Sequence, residues 1–183
     1  NANAFTGASG DQVVYETVRT TAGLFTCPES EVFVASTGVI GEPVASNYIS
    51  SKLPGLQSAL RDDGWENVAE AIMTTDTFPK AAIRRARIGT TMVTLAGITK
   101  GSGMIAPNMA TMLGFIFTDA KIPALVLQKL LVNATNQSYN AISVDGDTST
   151  SDTVLLCATG AAKEHKAVRT ATDAHIREFR KAL

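Results

Sequence analysis

Thr111 stands where two unlike stretches of chain meet. Ahead of it runs Lys100-Gly101-Ser102-Gly103-Met104-Ile105-Ala106-Pro107-Asn108-Met109-Ala110, whose glycines and proline keep the approach irregular. Behind it comes Met112-Leu113-Gly114-Phe115-Ile116-Phe117-Thr118-Asp119, an apolar run that predicts a buried strand over 111–118. Such a junction suits a peptide bond poised to break between Ala110 and Thr111. A threonine hydroxyl is a weak nucleophile and needs a base beside it. Cleavage would supply one, because the α-amine it exposes titrates near 8. Thr111 could attack the Ala110 carbonyl, pass through an ester, and be freed by water. The free residue could then take an acyl group from a substrate and hand it on.

Chemistry of this kind needs donors aimed at the developing oxyanion. Ser36-Thr37-Gly38-Val39-Ile40-Gly41 offers them, with the Thr37 hydroxyl and a Gly38 backbone N–H at a strand-to-loop turn. Thr-Gly is also a common strand ending, so spacing alone leaves a plain turn open.

Three other constellations compete for a role. Gly101-Ser102-Gly103-Met104-Ile105-Ala106 fits G-x-G-x-x-A, with Asp119 eighteen residues beyond Gly101. Pro107 and the β-type run from Thr111 argue against the helix that a pyrophosphate cradle requires. Asp145-Gly146-Asp147-Thr148-Ser149-Thr150-Ser151-Asp152-Thr153 gathers carboxylates and hydroxyls in one loop. It fails as a calcium loop, since Gly146 is misplaced and Leu156 sits where a bidentate glutamate belongs. A hydrogen-bonded turn and an active-site wall remain as its readings. Arg84, Arg85 and Arg87 read as the solvated face of a strand, or as a partner contact. Cys27 and Cys157 lack metal or redox spacing and read as buried thiols. His165 and His175 lack partners at ligand or triad spacing and read as surface residues. No metal site is expected.

The elements that position these residues follow from periodicity. Asp11 reads as an N-cap, and Val18, Thr21, Ala22 and Phe25 place a helix over 12–25, stopped by Pro28. A strand is expected over 31–36, a helix over 43–51 starting at Pro43, and a short helix over 64–72. Strands over 82–88 and 92–98 flank Gly89-Thr90-Thr91, a hairpin spacing. Asp119 and Pro123 introduce a helix with Leu127, Leu130, Leu131 and Ala134 on one stripe. A strand over 154–158 and a last helix carrying Ile176, Phe179 and Leu183 complete the pattern. Strands and helices intermix, which predicts a mixed α/β layered fold.

The 183 residues are enough for one domain with a sizeable core, and 1–183 reads as one domain. Apolar residues are 45% and charged residues 18%, an ordinary globular balance. A net charge of −1 gives no electrostatic case for nucleic acid or an anionic membrane. No apolar stretch is long enough for a transmembrane helix, and no signal peptide is visible. The chain lacks an initiating Met, and its last helix runs to Leu183 without a stop signal. Both features predict a core segment of a longer protein.

Five motifs in order carry a resemblance that spans essentially the whole chain. They are Asn1-Ala2-Asn3-Ala4-Phe5-Thr6-Gly7, Ser36-Thr37-Gly38-Val39-Ile40-Gly41, Met73-Thr74-Thr75-Asp76-Thr77-Phe78-Pro79-Lys80, the stretch 100–113, and the stretch 144–153. Together they resemble the ornithine acetyltransferase (glutamate N-acetyltransferase) family of arginine biosynthesis. The resemblance implies self-cleavage between Ala110 and Thr111, with α and β chains from one precursor staying together as a hetero-oligomer. It implies ping-pong transfer of the acetyl group of N2-acetylornithine through Thr111 to glutamate. Some members also accept acetyl-CoA as donor; no cofactor is implied. By the family's pattern Thr37 and Gly38 form the oxyanion hole, and Thr74, Lys100 and Thr111 contact substrate. Lys100 precedes Thr111 by eleven residues, as in the family, and its cation could pair with an amino-acid carboxylate. The implied fold is a four-layer αββα sandwich. The implied compartment is the cytoplasm, or an organelle where a targeting segment precedes the chain. Further substrate-binding positions of the family, a glutamate and a C-terminal asparagine and threonine, fall beyond Leu183. A related self-cleaving aminopeptidase or amidase, with water as acceptor, is the alternative within enzymes. A non-catalytic piece that assembles with missing segments is the alternative outside them.

Overall fold

Gly89, at φ +63°, turns the chain between β1 (Lys80–Ile88) and β2 (Thr91–Lys100), which pair antiparallel from Lys80↔Thr99 to Ile88↔Thr91. The computed structural model describes residues 1–103, 105–106 and 109–183. Met104, Pro107 and Asn108 of the glycine-rich approach lie outside the described residues, as do the side chains at 104–110. A two-residue ladder joins β3 (Ile105–Ala106) to β4 (Met109–Ala110). β5 (Leu113–Thr118) then runs antiparallel to β2, with Lys100 opposite Leu113. α5 (Ala124–Asn136) carries the chain over to β6 (Thr153–Ala158), which lies parallel to β5. Parallel neighbours need such a crossover, so α5 is what permits the order β1-β2-β5-β6.

Strand alternation assigns the two faces of this sheet. Ala86, Ile88, Val93 and Leu95 share one face. They pack in one buried cluster with Val126 and Leu130 of α5, and with Ile176 and Phe179 at the C-terminal end. Phe179 belongs to α6 (Arg177–Ala182), entered through a 3₁₀ turn over Ala174–Ile176. Each fully buried side chain of this size contributes about 1.5–3 kcal/mol. Phe117 points the other way, where Trp65 of α4 (Trp65–Ala71) meets its ring edge-on at 5.6 Å. On that second face Ile83 and Met92 stay 63% and 49% exposed. The same alternation divides the arginines: Arg84 lies on the first face, Arg85 and Arg87 on the second, all exposed.

Several expected elements differ from those observed. The first helix, α1 (Gly7–Phe25), begins well before Asp11. The Asn3 amide donates to the Gly10 carbonyl at 2.9 Å, and the Thr6 hydroxyl donates to Asn3 Oδ1 at 2.8 Å. These bonds organise the helix start, and Asp11 becomes a helical residue on its exposed side. The strand expected over 31–36 has no ladder partner among the described residues, and Phe33 is 71% exposed. Only a 3₁₀ turn, Glu29–Glu31, forms at its start. The helix expected from Pro43 is the shorter α2 (Asn47–Ser50), followed by α3 (Leu53–Ser58) with Pro54 in its first turn. Both thiols are half-buried rather than buried, and free.

The histidines are tied into the backbone rather than idle at the surface. His165 Nε2 accepts the Lys121 amide at 2.9 Å, which puts the ring proton on Nδ1 facing the Lys166 carbonyl at 2.9 Å. His175 Nε2 lies 3.1 Å from the Ala167 carbonyl. Among the described residues, no helix is long and apolar enough to cross a membrane.

Candidate active site

The segment 74–76 is latched to the end of β2 by three successive contacts. Lys100 Nζ donates to Thr74 Oγ1 at 2.9 Å, and the Gly101 amide donates to Asp76 Oδ1 at 2.7 Å. The Thr75 and Ser102 hydroxyls meet at 2.7 Å. Gly101 adopts φ +145°, a conformation open to glycine, and this is what turns its amide onto Asp76. Lys80, four residues after Asp76, closes the group with a 2.6 Å ion pair. The family resemblance implies roles for Thr74 and Lys100 but none for Asp76. The Asp76/Lys80 spacing was its available signal.

Burial opposes ionisation of Asp76, but the Lys80 ammonium and the Gly101 and Thr74 amides outweigh it and hold the carboxyl at about 2. The folded state therefore favours the carboxylate over the ordinary value of 3.8. That stabilisation is present above pH 3.8 and is lost as pH falls toward about 2. Asp76→Asn is expected to cost about 2–3 kcal/mol at pH 7, because it leaves Lys80 unpaired and weakens the latch. Urea unfolding at pH 7 and again near pH 2 checks this, with the gap between the proteins closing at the lower pH.

Lys100 is the most unusual charge in the chain. Its residue is only 3% exposed, its hydrogen-bond partner Thr74 is neutral, and no described carboxylate forms an ion pair with it. An ammonium so placed is costly unless an anion joins it. It lines a cavity of about 440 Å³ together with Ser102, Met112, Tyr139, Asp152 and Val154. The cavity walls are mainly apolar, with a few convergent polar groups, the usual pattern of a small-molecule site.

Thr111 lies two residues ahead of β5, not at its first position as expected. The reason is a clamp on its neighbour. The Met112 amide donates to Asp152 Oδ1 at 2.7 Å, and the Met112 carbonyl accepts the Thr153 amide at 3.1 Å. Residues 111–112 are therefore held by the loop leading into β6 instead of by the β2–β5 ladder. That loop keeps its hydrogen-bonded turns too, with the Asp147 amide on Asp145 Oδ1 and the Ser151 amide on Ser149 Oγ. Burial pushes the Asp152 carboxyl above the usual 3.8, while the Met112 amide and the Lys100 charge pull against it.

Thr37 sits in a loop fixed by the first residues of the chain. The Ala2 amide donates to the Val39 carbonyl and the Gly41 amide to the Ala4 carbonyl, both at 3.0 Å, and the Asn3 amide donates to Ser36 Oγ. Gly38 adopts φ +130°, and a side chain there would press on Asn1 Cα at 3.3 Å. This explains the Asn1–Gly7 motif in structural terms.

Among the described residues, three buried side-chain atoms have no hydrogen-bond partner: Thr37 Oγ1, Thr111 Oγ1 and Asp152 Oδ2. Buried polar groups are nearly always paired, so orphans mark strain or a group kept ready for a partner. The geometry thus joins Thr74 to Lys100 directly, and brings Lys100, Met112 and Asp152 to one cavity. It does not join Thr37 to Thr111, whose hydroxyls are both unbonded. The nucleotide reading meets two obstacles. Asp119 accepts the Thr94 amide at 2.7 Å, and Ile105–Ala106 pairs with Met109–Ala110 in the β3–β4 ladder. Among the described residues no His, Cys, Asp and Glu cluster is placed to hold a metal ion.

The ArgJ family model matches residues 1–183. The chain belongs to the ArgJ family. Across all of its residues this ArgJ-family chain is 50% identical to the arginine biosynthesis bifunctional protein ArgJ of Gluconobacter oxydans, covering 43% of that protein. It is 51% identical to the protein of the same name from Mesorhizobium japonicum, covering 45% of it. The Agrobacterium fabrum protein of that name is 48% identical, again with 45% covered. The chain therefore spans less than half the length of these curated relatives.

Proposed function

We propose that this chain is the core of an acetyltransferase of arginine biosynthesis that moves the acetyl group of N2-acetylornithine to glutamate through Thr111. The observation that carries this reading is the presence, in an ArgJ-family chain, of buried hydroxyls at Thr37 and Thr111 without a partner among the described residues, and of a buried Lys100 that forms no described ion pair.

Self-cleavage comes first. Thr111 Oγ attacks the Ala110 carbonyl carbon, the amide nitrogen leaves as the α-amine of Thr111, and water hydrolyses the ester. Transfer then uses that amine as base. It takes the hydroxyl proton as Oγ bonds to the acetyl carbon, and the proton goes to the departing amine of ornithine. Glutamate reverses the sequence and leaves as N-acetylglutamate. Thr37 and the Gly38 amide hold the oxyanion in both half-reactions. Lys100, set by Thr74, receives a carboxylate of the amino-acid substrate. Acetyl-CoA serves as an alternative donor in the same cycle, and no resident cofactor or metal takes part.

In the intact protein, the exposed sheet face bearing Ile83 and Met92 packs on a second sheet, giving the αββα sandwich. The half-exposed state of those apolar residues supports this. Residues 1–110 and the chain from Thr111 onward stay together as α and β chains in the cytoplasm. The continuous β2–β5 ladder across the junction favours their association.

Full-length protein given N2-acetylornithine and glutamate is expected to form N-acetylglutamate and ornithine. Free acetate without acetylglutamate would point instead to the aminopeptidase or amidase reading. Lys100→Met is expected to raise KM for the amino-acid substrate about 10- to 100-fold, the worth of one charge-assisted hydrogen bond. Steady-state kinetics with each substrate varied in turn checks it.

A further inference from the structure

Asp152 has two carboxylate oxygens in different circumstances. Oδ1 takes the Met112 amide at 2.7 Å, while Oδ2 is buried and unpaired among the described residues. Only the carbonyl carbon and Cα of Thr111 separate that amide nitrogen from the nitrogen of Thr111. A carboxylate held on the first is therefore within reach of the second. In the uncleaved chain the second is a peptide nitrogen; after cleavage it is an amine with new protons to donate.

We propose that Asp152 is the positioning residue of the Thr111 α-amine, with Oδ2 accepting an N–H once cleavage has exposed it. The proposal rests on the reading of Thr111 as an N-terminal nucleophile. Asp152 then does for the amine what the triad carboxylate does for histidine. It turns the nitrogen lone pair toward Thr111 Oγ and stabilises the ammonium that forms as the hydroxyl proton arrives. No proton moves to Asp152 itself. The other charges around the site are Lys100 at the end of β2, Lys80 with its Asp76 partner, and Asp145 in the same loop as Asp152. Among the described hydrogen bonds, the one from the Met112 amide places Asp152 against the backbone beside Thr111.

The unpaired Oδ2 is costly before cleavage. Burial already raises the Asp152 carboxyl above its ordinary value, so the folded protein gains nothing from this charge at neutral pH.

The test is Asp152→Asn in the full-length protein, which keeps an acceptor for Met112 and removes the charge. Intact mass is expected to show normal cleavage, since the role begins afterwards. Acetyl transfer is expected to fall about 10- to 100-fold in kcat/KM, with its acid limb moved to lower pH by about one unit, because the amine has lost its anion. Asp152→Glu is expected to return the limb toward wild type. An unmoved acid limb overturns the proposal, whatever the rate, and so does an Asn variant that folds but stays uncleaved. If the variant does not accumulate, pH-dependent reductive methylation of the wild-type Thr111 amine decides. Half-reaction above pH 8 supports the proposal, and at or below it overturns it. Cleaved, active wild type with an unmoved variant limb sinks this proposal alone. Wild type that stays whole and transfers nothing sinks the nucleophile reading with it.

Discussion

Full-length protein carrying Thr111→Ala is expected to remain a single chain and to transfer no acetyl group. The loss should be on the order of 10⁶ in kcat, the usual scale for removing a covalent nucleophile. The variant should not be less stable, since it deletes a buried hydroxyl that has no partner among the described residues. That combination separates lost chemistry from lost folding. Intact mass, a thermal melt and an acetylglutamate assay on one preparation check all three parts. Thr111→Ser, which keeps a hydroxyl, is expected to cleave and to turn over more slowly than wild type.

Thr37→Val is expected to lower kcat about 10²- to 10³-fold, matching about 3–4 kcal/mol for one oxyanion donor. The argument again turns on an orphan. Thr37 Oγ1 is buried and bonds nothing among the described residues, so valine of similar shape costs the fold little. The Gly38 amide remains, which is why activity falls rather than disappears. Similar KM values with a reduced kcat are the expected signature, because the oxyanion exists only in the transition state. A rise in KM with kcat intact would assign Thr37 to ground-state binding instead.

How far the sequence revealed this arrangement depends on where each element draws its stability. The β1–β2 hairpin was legible because its turn and alternation lie within one short stretch. The α5 stripe was legible for a similar reason: Leu130 is buried and Leu127 packs against the core, as their spacing required. The segment 31–36 misled, since alternation predicts a strand only where an edge is available to pair with it. This segment pairs with neither edge strand of the sheet, β1 or β6. Asn3 displaced the start of α1 through side-chain bonds that periodicity does not register.

For the site, the mixed α/β frame and the strand that follows Thr111 could be read from residue types. The clamp on Met112 could not, because Asp152 lies forty residues away and reaches it only through the parallel β5–β6 pairing. Parallel pairing arises from a crossover and leaves no local signature. The same applies to Asp76, whose partner Gly101 is twenty-five residues distant. The resemblance named Thr74 and Lys100, and the structure supplies the hydrogen bond between them.

The central claim is that a threonine freed between Ala110 and Thr111 carries the acetyl group. The most direct test mixes full-length protein with N2-acetylornithine alone, quenches it in acid, and measures the mass of each chain. The account predicts two chains split at that bond, with the fragment beginning at Thr111 heavier by one acetyl group. Fragmentation should place that group on Thr111, and added glutamate should remove it. Acetyl found on another residue, or a single uncleaved chain that still turns over, would contradict the account.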